Sequence, residues 1–217
     1  MKNLLLLLIV IMPCYLTAQL STSKKNGVHI IGGMSVGGGI NSHQGFDETQ
    51  MSFPDHIDQY LKSQGPALNY RFGIGYQRMV LPNLSLKTGV LFSSWNLRFQ
   101  DLDKQELLLQ NWYVEIPLLA QYSLGQNKFR PYVEGGVNLM MRVVYSDYST
   151  PMSIAAQLGI GVSHELSETI SLYAQLSGRA HVIESINYHR ENINGLWTAV
   201  YTYPYEVGLD IGASYSF

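Results

Sequence analysis

An eight-stranded antiparallel up-and-down transmembrane β-barrel is the fold this sequence predicts, and three observations predict it. The chain opens on an export signal. It carries few charges, 14% of residues, where soluble domains average about 25%. Its mature part divides into long segments in which apolar and polar residues alternate strictly. Alternation with period two is the mark of a β-strand whose faces meet different surroundings. No apolar run in the mature chain reaches the ~20 residues of a membrane helix, so any span must be a closed barrel, which pairs every backbone group.

Residues 1–18 read as a secretory signal peptide. Lys2 supplies the positive start, Leu4 to Met12 the apolar core, and Leu16-Thr17-Ala18 a small-residue end for cleavage between Ala18 and Gln19. Cys14 offers a rival reading as a lipidated cysteine, but Pro13 stands where such a site expects a small residue. Cys14 is the only cysteine and leaves with the signal, so the mature chain has no disulfide and no thiol nucleophile. Residues 19–217 are then one barrel domain. The net charge of −2 gives no broad basic surface, so nucleic acid is not an expected partner.

The first strand is read over Val28 to Gly38, with Val28, Ile30, Met34 and Val36 outward. Residues 39–66 follow as a long polar connection, with a helical turn or two over Asp55 to Lys62. Ala67 to Met79 is the second strand, with Leu68, Tyr70, Phe72, Ile74 and Tyr76 outward and Asn69, Arg71 and Gln77 inward. Leu84 to Leu97 is the third, with Lys87 and Ser93 inward; its pattern loosens at Trp95, which is placed near the rim. Residues 99–110 read as a polar loop.

Asn111 to Arg142 is the clearest hairpin. Trp112, Val114, Ile116, Leu118, Ala120 and Tyr122 share one face, and Tyr113, Glu115, Pro117 and Gln121 the other. After a turn at Gly125 and Asn127, Pro131, Val133, Gly135, Val137, Leu139 and Met141 oppose Arg130, Tyr132, Glu134, Asn138 and Arg142. Each arm has about a dozen residues, against an ordinary mean of about five or six and the ~9–11 of a tilted membrane strand. Pro117 in mid-strand cannot donate to the ladder, so a local bulge is expected there.

Met152 to His164 is the sixth strand, with Ile154, Leu158 and Ile160 outward and Gln157 and Ser163 inward. Thr169 to Ile183 is the seventh, with Tyr173, Gln175, Ser177, Arg179 and His181 inward. Residues 184–204 read as a long aromatic loop. Tyr205 to Phe217 closes the chain, with Glu206 and Asp210 inward.

The connections after even strands are short and those after odd strands long. Outer-membrane barrels segregate short periplasmic turns from long outer loops in this way, which puts both termini in the periplasm. Trp112 and Tyr205 then mark an outer aromatic girdle, and Tyr76, Tyr122, Tyr215 and Phe217 a periplasmic one. A soluble lipocalin-like barrel is the fold-level rival, with apolar residues inside and charges outside.

Over Tyr113-Val114-Glu115-Ile116-Pro117-Leu118-Leu119-Ala120-Gln121-Tyr122 the chain resembles a recurrent signature of the Bacteroidetes outer-membrane β-barrel domain family, the PorT-like "porin family" barrels. Pro131-Tyr132-Val133-Glu134-Gly135-Gly136 is similar to the strand that follows it. The last residues, Tyr215 and Phe217, resemble the C-terminal signal read by the barrel assembly machinery. The resemblance implies a barrel in the outer membrane of a diderm bacterium, bathed in its lipid. It does not imply one activity; a type IX secretion accessory role is one alternative it raises.

The inward charges are Arg71, Lys87, Glu115, Arg130, Glu134, Arg142, Arg179, Glu206 and Asp210. Eight strands enclose a space that side chains can fill, and buried charges must find partners. A plug of paired charges is therefore expected, with a narrow ion or small-solute path as its alternative. A lipid-modifying enzyme is a further alternative. Its candidates are His189 with Glu191, or His164 beside Ser163; neighbours on a strand point to opposite faces, so the latter two cannot pair directly. His43, His56, Asp47, Glu48, Asp55 and Asp58 could crowd around a metal, but no ligand-spacing motif supports one. No catalytic, cofactor or metal site is expected. The leading expectation is a non-enzymatic barrel for anchoring, envelope integrity or binding of an extracellular or envelope protein through 39–66 and 184–204.

Overall fold

Long alternating segments pair edge to edge and close on themselves. The computed structural model describes residues 26–44, 66–100, 106–125, 128–143, 152–183, 186–191 and 197–217. The signal segment with Ala18 and Gln19, the helical turn at 55–62, and His56, Asp47, Glu48, Asp55 and Asp58 lie outside the described residues.

The strands are β1 (Asn26–Gln44), β2 (Ala67–Leu81), β3 (Leu84–Ser94), β4 (Leu97–Gln100), β5 (Glu106–Leu109), β6 (Trp112–Ser123), β7 (Phe129–Arg142), β8 (Met152–Glu165), β9 (Ile170–His181), β10 (Ile186–Glu191) and β11 (Trp197–Ser216). The antiparallel order β1-β2-β3-β6-β7-β8-β9-β11 closes through β1 against β11, so eight staves form the wall. At the seam Asn26 and Phe217 exchange two backbone hydrogen bonds, at 3.1 and 2.8 Å. Both ends and the short turns share one rim, called here the terminal rim. The long connections share the other, the loop rim.

Strands run beyond their expected ends at the loop rim. The connections read at 39–66, 99–110 and 184–204 each begin or end as sheet. β1 continues to Gln44 against β11, β4 and β5 make a separate ribbon, and β10 pairs with the start of β11. The sequence reading ends the aromatic connection at Pro204 and begins the last strand at Tyr205. Pro204 instead stands within β11 opposite Gly39 of β1, between the ladder to β10, which reaches Thr202, and the ladder to β9, which starts at Tyr205.

The bulge expected at Pro117 is absent. Pro117 stands opposite Asn138 of β7. Toward β3 the ladder lapses between Thr88↔Leu118 and Leu91↔Glu115, yet both pairs keep one register. The strand drops a stretch of ladder rather than inserting a residue.

The exterior is inside-out for a soluble protein. Ile30, Ile74, Val90, Leu118, Leu158, Ile160, Leu176, Leu209 and Ile211 are exposed, Leu158 at 73%, while Arg71, Glu115, Glu134, Arg179, Glu206 and Asp210 are buried. That arrangement rules out the lipocalin-like alternative, which needs the opposite. Trp112 and Tyr205 are exposed toward the loop rim, and Tyr76, Tyr122, Tyr215 and Phe217 toward the terminal rim. From Trp112 to Tyr122, at about 3.3 Å per residue and a tilt of about 40°, the belt is roughly 25 Å tall, the height of an outer-membrane apolar band.

Candidate functional site

Period two gives each stave one face to the lumen, and eight such faces bring together polar residues far apart in sequence. They meet in two linked clusters. In the first, Arg71 of β2 grips Asp210 of β11 with two guanidinium nitrogens, Nε at 2.6 Å. Arg71 also donates to Gln157 of β8 at 3.2 Å. Asp210 accepts from Ser177 of β9 at 2.7 Å. Gln157 and Gln175 each donate to Glu134 of β7 at 3.0 Å, and Lys87 of β3 donates to the same carboxylate at 2.7 Å. Asn138 donates to Gln157 at 3.0 Å.

In the second cluster Arg179 of β9 donates to both oxygens of Glu115 on β6, at 3.2 and 3.0 Å, and pairs with Glu206 of β11. Glu206 accepts from Asn69 of β2 at 3.0 Å. Glu115, 0% exposed, also accepts from Ser93 and, at 3.1 Å, from the indole of Trp95. Every carboxylate thus meets a cation and further donors, the condition under which buried charge is tolerated.

Toward the loop rim the lumen turns aromatic. Trp95, 1% exposed, packs with Tyr113, Met140 and Ala155. It stands one residue past the end of β3, near the rim where the loosened pattern puts it, with its ring turned into the lumen as a lid. Its odd number, in phase with Lys87 and Ser93, was the signal that placed it inward. The Arg179 guanidinium lies 5.0 Å from the Trp95 ring. Arg142 donates to the Tyr113 hydroxyl at 2.7 Å, and the His181 ring meets Trp95 edge-on at 4.4 Å.

Toward the terminal rim the lumen opens. Tyr132 and Tyr173 form a floor, with the Lys87 ammonium 5.9 and 5.3 Å from their rings. Tyr132 donates to Gln175 at 3.0 Å and Tyr173 to the Ile30 carbonyl at 2.9 Å. Both hydroxyls lie over glycines, Gly161 and Gly212, where any Cβ would collide with the ring. Beyond the floor is a cavity of about 100 Å³, lined by Gln77, Ser85, Gln121, Ser163, Ser171 and Ser214 among others.

Eight of the nine expected lumen charges are buried. Arg130 is the exception. It lies half-exposed at the terminal lip, paired with Glu165, because it is only the second residue of β7. The neutral partners Asn69, Ser93, Asn138, Gln157, Gln175 and Ser177 were legible as inward residues, but only the closed barrel shows that they bridge the charges.

The enzyme candidates do not assemble among the described residues. His164 is exposed and faces Phe129, with ring centroids 6.4 Å apart, while Ser163 lines the cavity. The side chains of His43, His189 and Glu191 lie outside the described residues. A serine–histidine pair that sequence reasoning missed does exist: Ser153 Oγ lies 2.8 Å from His181 Nδ1. Ser153 also donates to the Ile183 carbonyl at 3.2 Å, and both residues are buried beside Trp95.

No family model matches the sequence, and no curated protein matches it. Solved structures do. The outer membrane protein OprG from Pseudomonas aeruginosa superposes with a TM-score of 0.55 at 15% identity, over 88% of this chain and 96% of that one. Outer membrane protein AlkL gives 0.46 at 15% identity, over 89% and 90%. Outer Membrane Protein W of E. coli gives 0.41 at 14%, over 87% and 98%. The likeness to OprG is one of fold. With the apolar belt and buried charges it makes this chain an outer-membrane β-barrel, embedded in the lipid of that membrane.

Proposed function

We propose that the chain is a closed, non-enzymatic barrel that anchors or braces the envelope and presents its loop-rim strands to an extracellular or envelope protein. The termini and terminal rim face the periplasm, and the loop rim faces outward. The observation that carries the closed reading is the hydrogen-bonded crossing of the lumen by Arg71–Asp210, Lys87–Glu134 and Arg179–Glu115–Glu206 under the Trp95 lid. Ion pairs reaching from wall to wall leave an ion no continuous wet path.

The resemblance over Tyr113 to Tyr122 supports a place among the PorT-like barrels, with a type IX secretion accessory role as one form of the partner-binding reading. Tyr215 and Phe217, exposed beside each other at the terminal rim, suit a signal for the barrel assembly machinery. Residues 1–18 suit an export signal cleaved between Ala18 and Gln19. Planar-bilayer recording tests the closed reading. Wild type is expected to be silent, and Glu134→Ala to admit at most flickering current. A steady unitary conductance in wild type would favour the small-solute channel, whose support is the cavity at the terminal rim. The lipid-modifying alternative is checked by mass spectra of lipid A with and without expression, where unchanged acyl chains are expected.

A further inference from the structure

The cavity at the terminal rim is a dead end. Its floor is Tyr132 and Tyr173, backed by Lys87 and Glu134. Its wall is supplied by all eight staves and is rich in hydroxyl and amide groups: Ser85, Gln121, Ser163, Ser171 and Ser214, with Gln77. Formal charge stands at the lip, where Arg130 is paired with Glu165 and Glu168 is exposed.

The lining selects by exclusion. A free anion entering here sheds water and meets only cations already paired with carboxylates, Lys87 with Glu134 and Arg130 with Glu165, at a cost of several kcal/mol (on the order of the effective penalty for a desolvated ion). An apolar molecule leaves the hydroxyls and amides without partners, each at roughly 1–3 kcal/mol. A neutral molecule dense in both donors and acceptors avoids both penalties. Serine hydroxyls and glutamine amides each donate and accept, so they match alternating hydroxyls of either polarity. The partly exposed Tyr173 ring adds flat apolar surface for the ring face of such a molecule, while Tyr132 is buried. About 100 Å³ gives room for a few waters, each about 30 Å³ in the liquid, and so for a small molecule carrying several polar groups.

We infer that the terminal mouth of the barrel is a binding site for one neutral sugar ring, an end residue of a glycan, held by the serine and glutamine lining against the Tyr132–Tyr173 floor. This goes beyond the closed-barrel reading and does not rest on it, because a conducting barrel could bind sugar at the same mouth.

Saturation-transfer NMR on the full chain in lipid nanodiscs tests it, with methyl β-glucoside as probe and sodium acetate and cyclohexanol as comparisons. Saturable transfer to the glucoside alone is expected. Gln121→Leu with Ser214→Val is expected to weaken it about tenfold, the loss of one or two hydrogen bonds. Ser123→Trp, which fills the mouth, is expected to abolish it. Heat-modifiable migration in gels reports that each variant is still a folded barrel. Should a folded Ser123→Trp barrel retain the transfer, the site is elsewhere and the inference falls. It falls equally if the glucoside shows none in wild type, or if acetate or cyclohexanol saturates as well.

Discussion

The two halves of the lumen are built by the same alternation and end up opposite in character. On the loop side Trp95, Tyr113, Met140 and Ala155 close over Glu115 and Arg179, and the interior is packed with buried side chains. On the terminal side serine and glutamine stand back from one another and leave a cavity. The contrast shows that an inward face fixes only that a side chain points inside. Its size and its partners decide whether the inside is packed or wet. Charge buried in the packed half must be matched, while polar groups in the open half can turn to water.

Three sets of substitutions would break or sharpen that contrast. The largest effect belongs to the packed half. Glu115→Ala takes from Arg179 one of its two carboxylates, leaving it Glu206, and leaves Ser93 and Trp95 without their acceptor. Removing one partner of a buried pair costs about 3–5 kcal/mol, read as a lower unfolding midpoint in urea. Adding Arg179→Met should deepen the loss, since it takes the cation away from the buried Glu206 carboxylate. If the single change is near neutral, the ion cluster is wet and the contrast is false.

The intermediate effect lies on the outside. Leu158→Arg, at mid-strand on the exposed face, should cost about 2–4 kcal/mol in a bilayer. In water such a surface change would stay within about 0.5 kcal/mol. Comparing refolding yields into liposomes and unfolding midpoints separates the two.

The smallest effect belongs to the open half. Ser214→Ala and Gln121→Ala should each shift stability by less than about 1 kcal/mol, because water replaces the lost polar contact. A loss equal to that of Glu115→Ala would mean that the mouth is as tightly packed as the lid.

Much of the wall was legible residue by residue. The faces of β6 and β7 follow from parity alone, from Trp112, Ile116 and Tyr122 outward to Glu115, Glu134 and Asn138 inward. Trp95 lies near the rim, where the pattern of its strand loosens, and its phase points it into the lumen. Residues 197–204, read as loop, belong to β11, and Pro117 raised a bulge that is not there, because a proline's effect depends on whether a neighbour needs its N–H at that level. The candidate site was legible as a roster of inward charges but not as pairs. Arg71 and Asp210 are 139 positions apart, and nothing in either segment names the other.

By itself the sequence determined which side of each stave meets lipid, how tall the belt is and which rim carries the long connections, because these depend on period two and on counting residues between turns. Only the closed structure decided who pairs with whom across the lumen, that Trp95 seals one end, and that the other end stays open. Those outcomes depend on the curvature and register of eight staves together, which bring distant side chains within hydrogen-bonding reach or hold them a water's width apart.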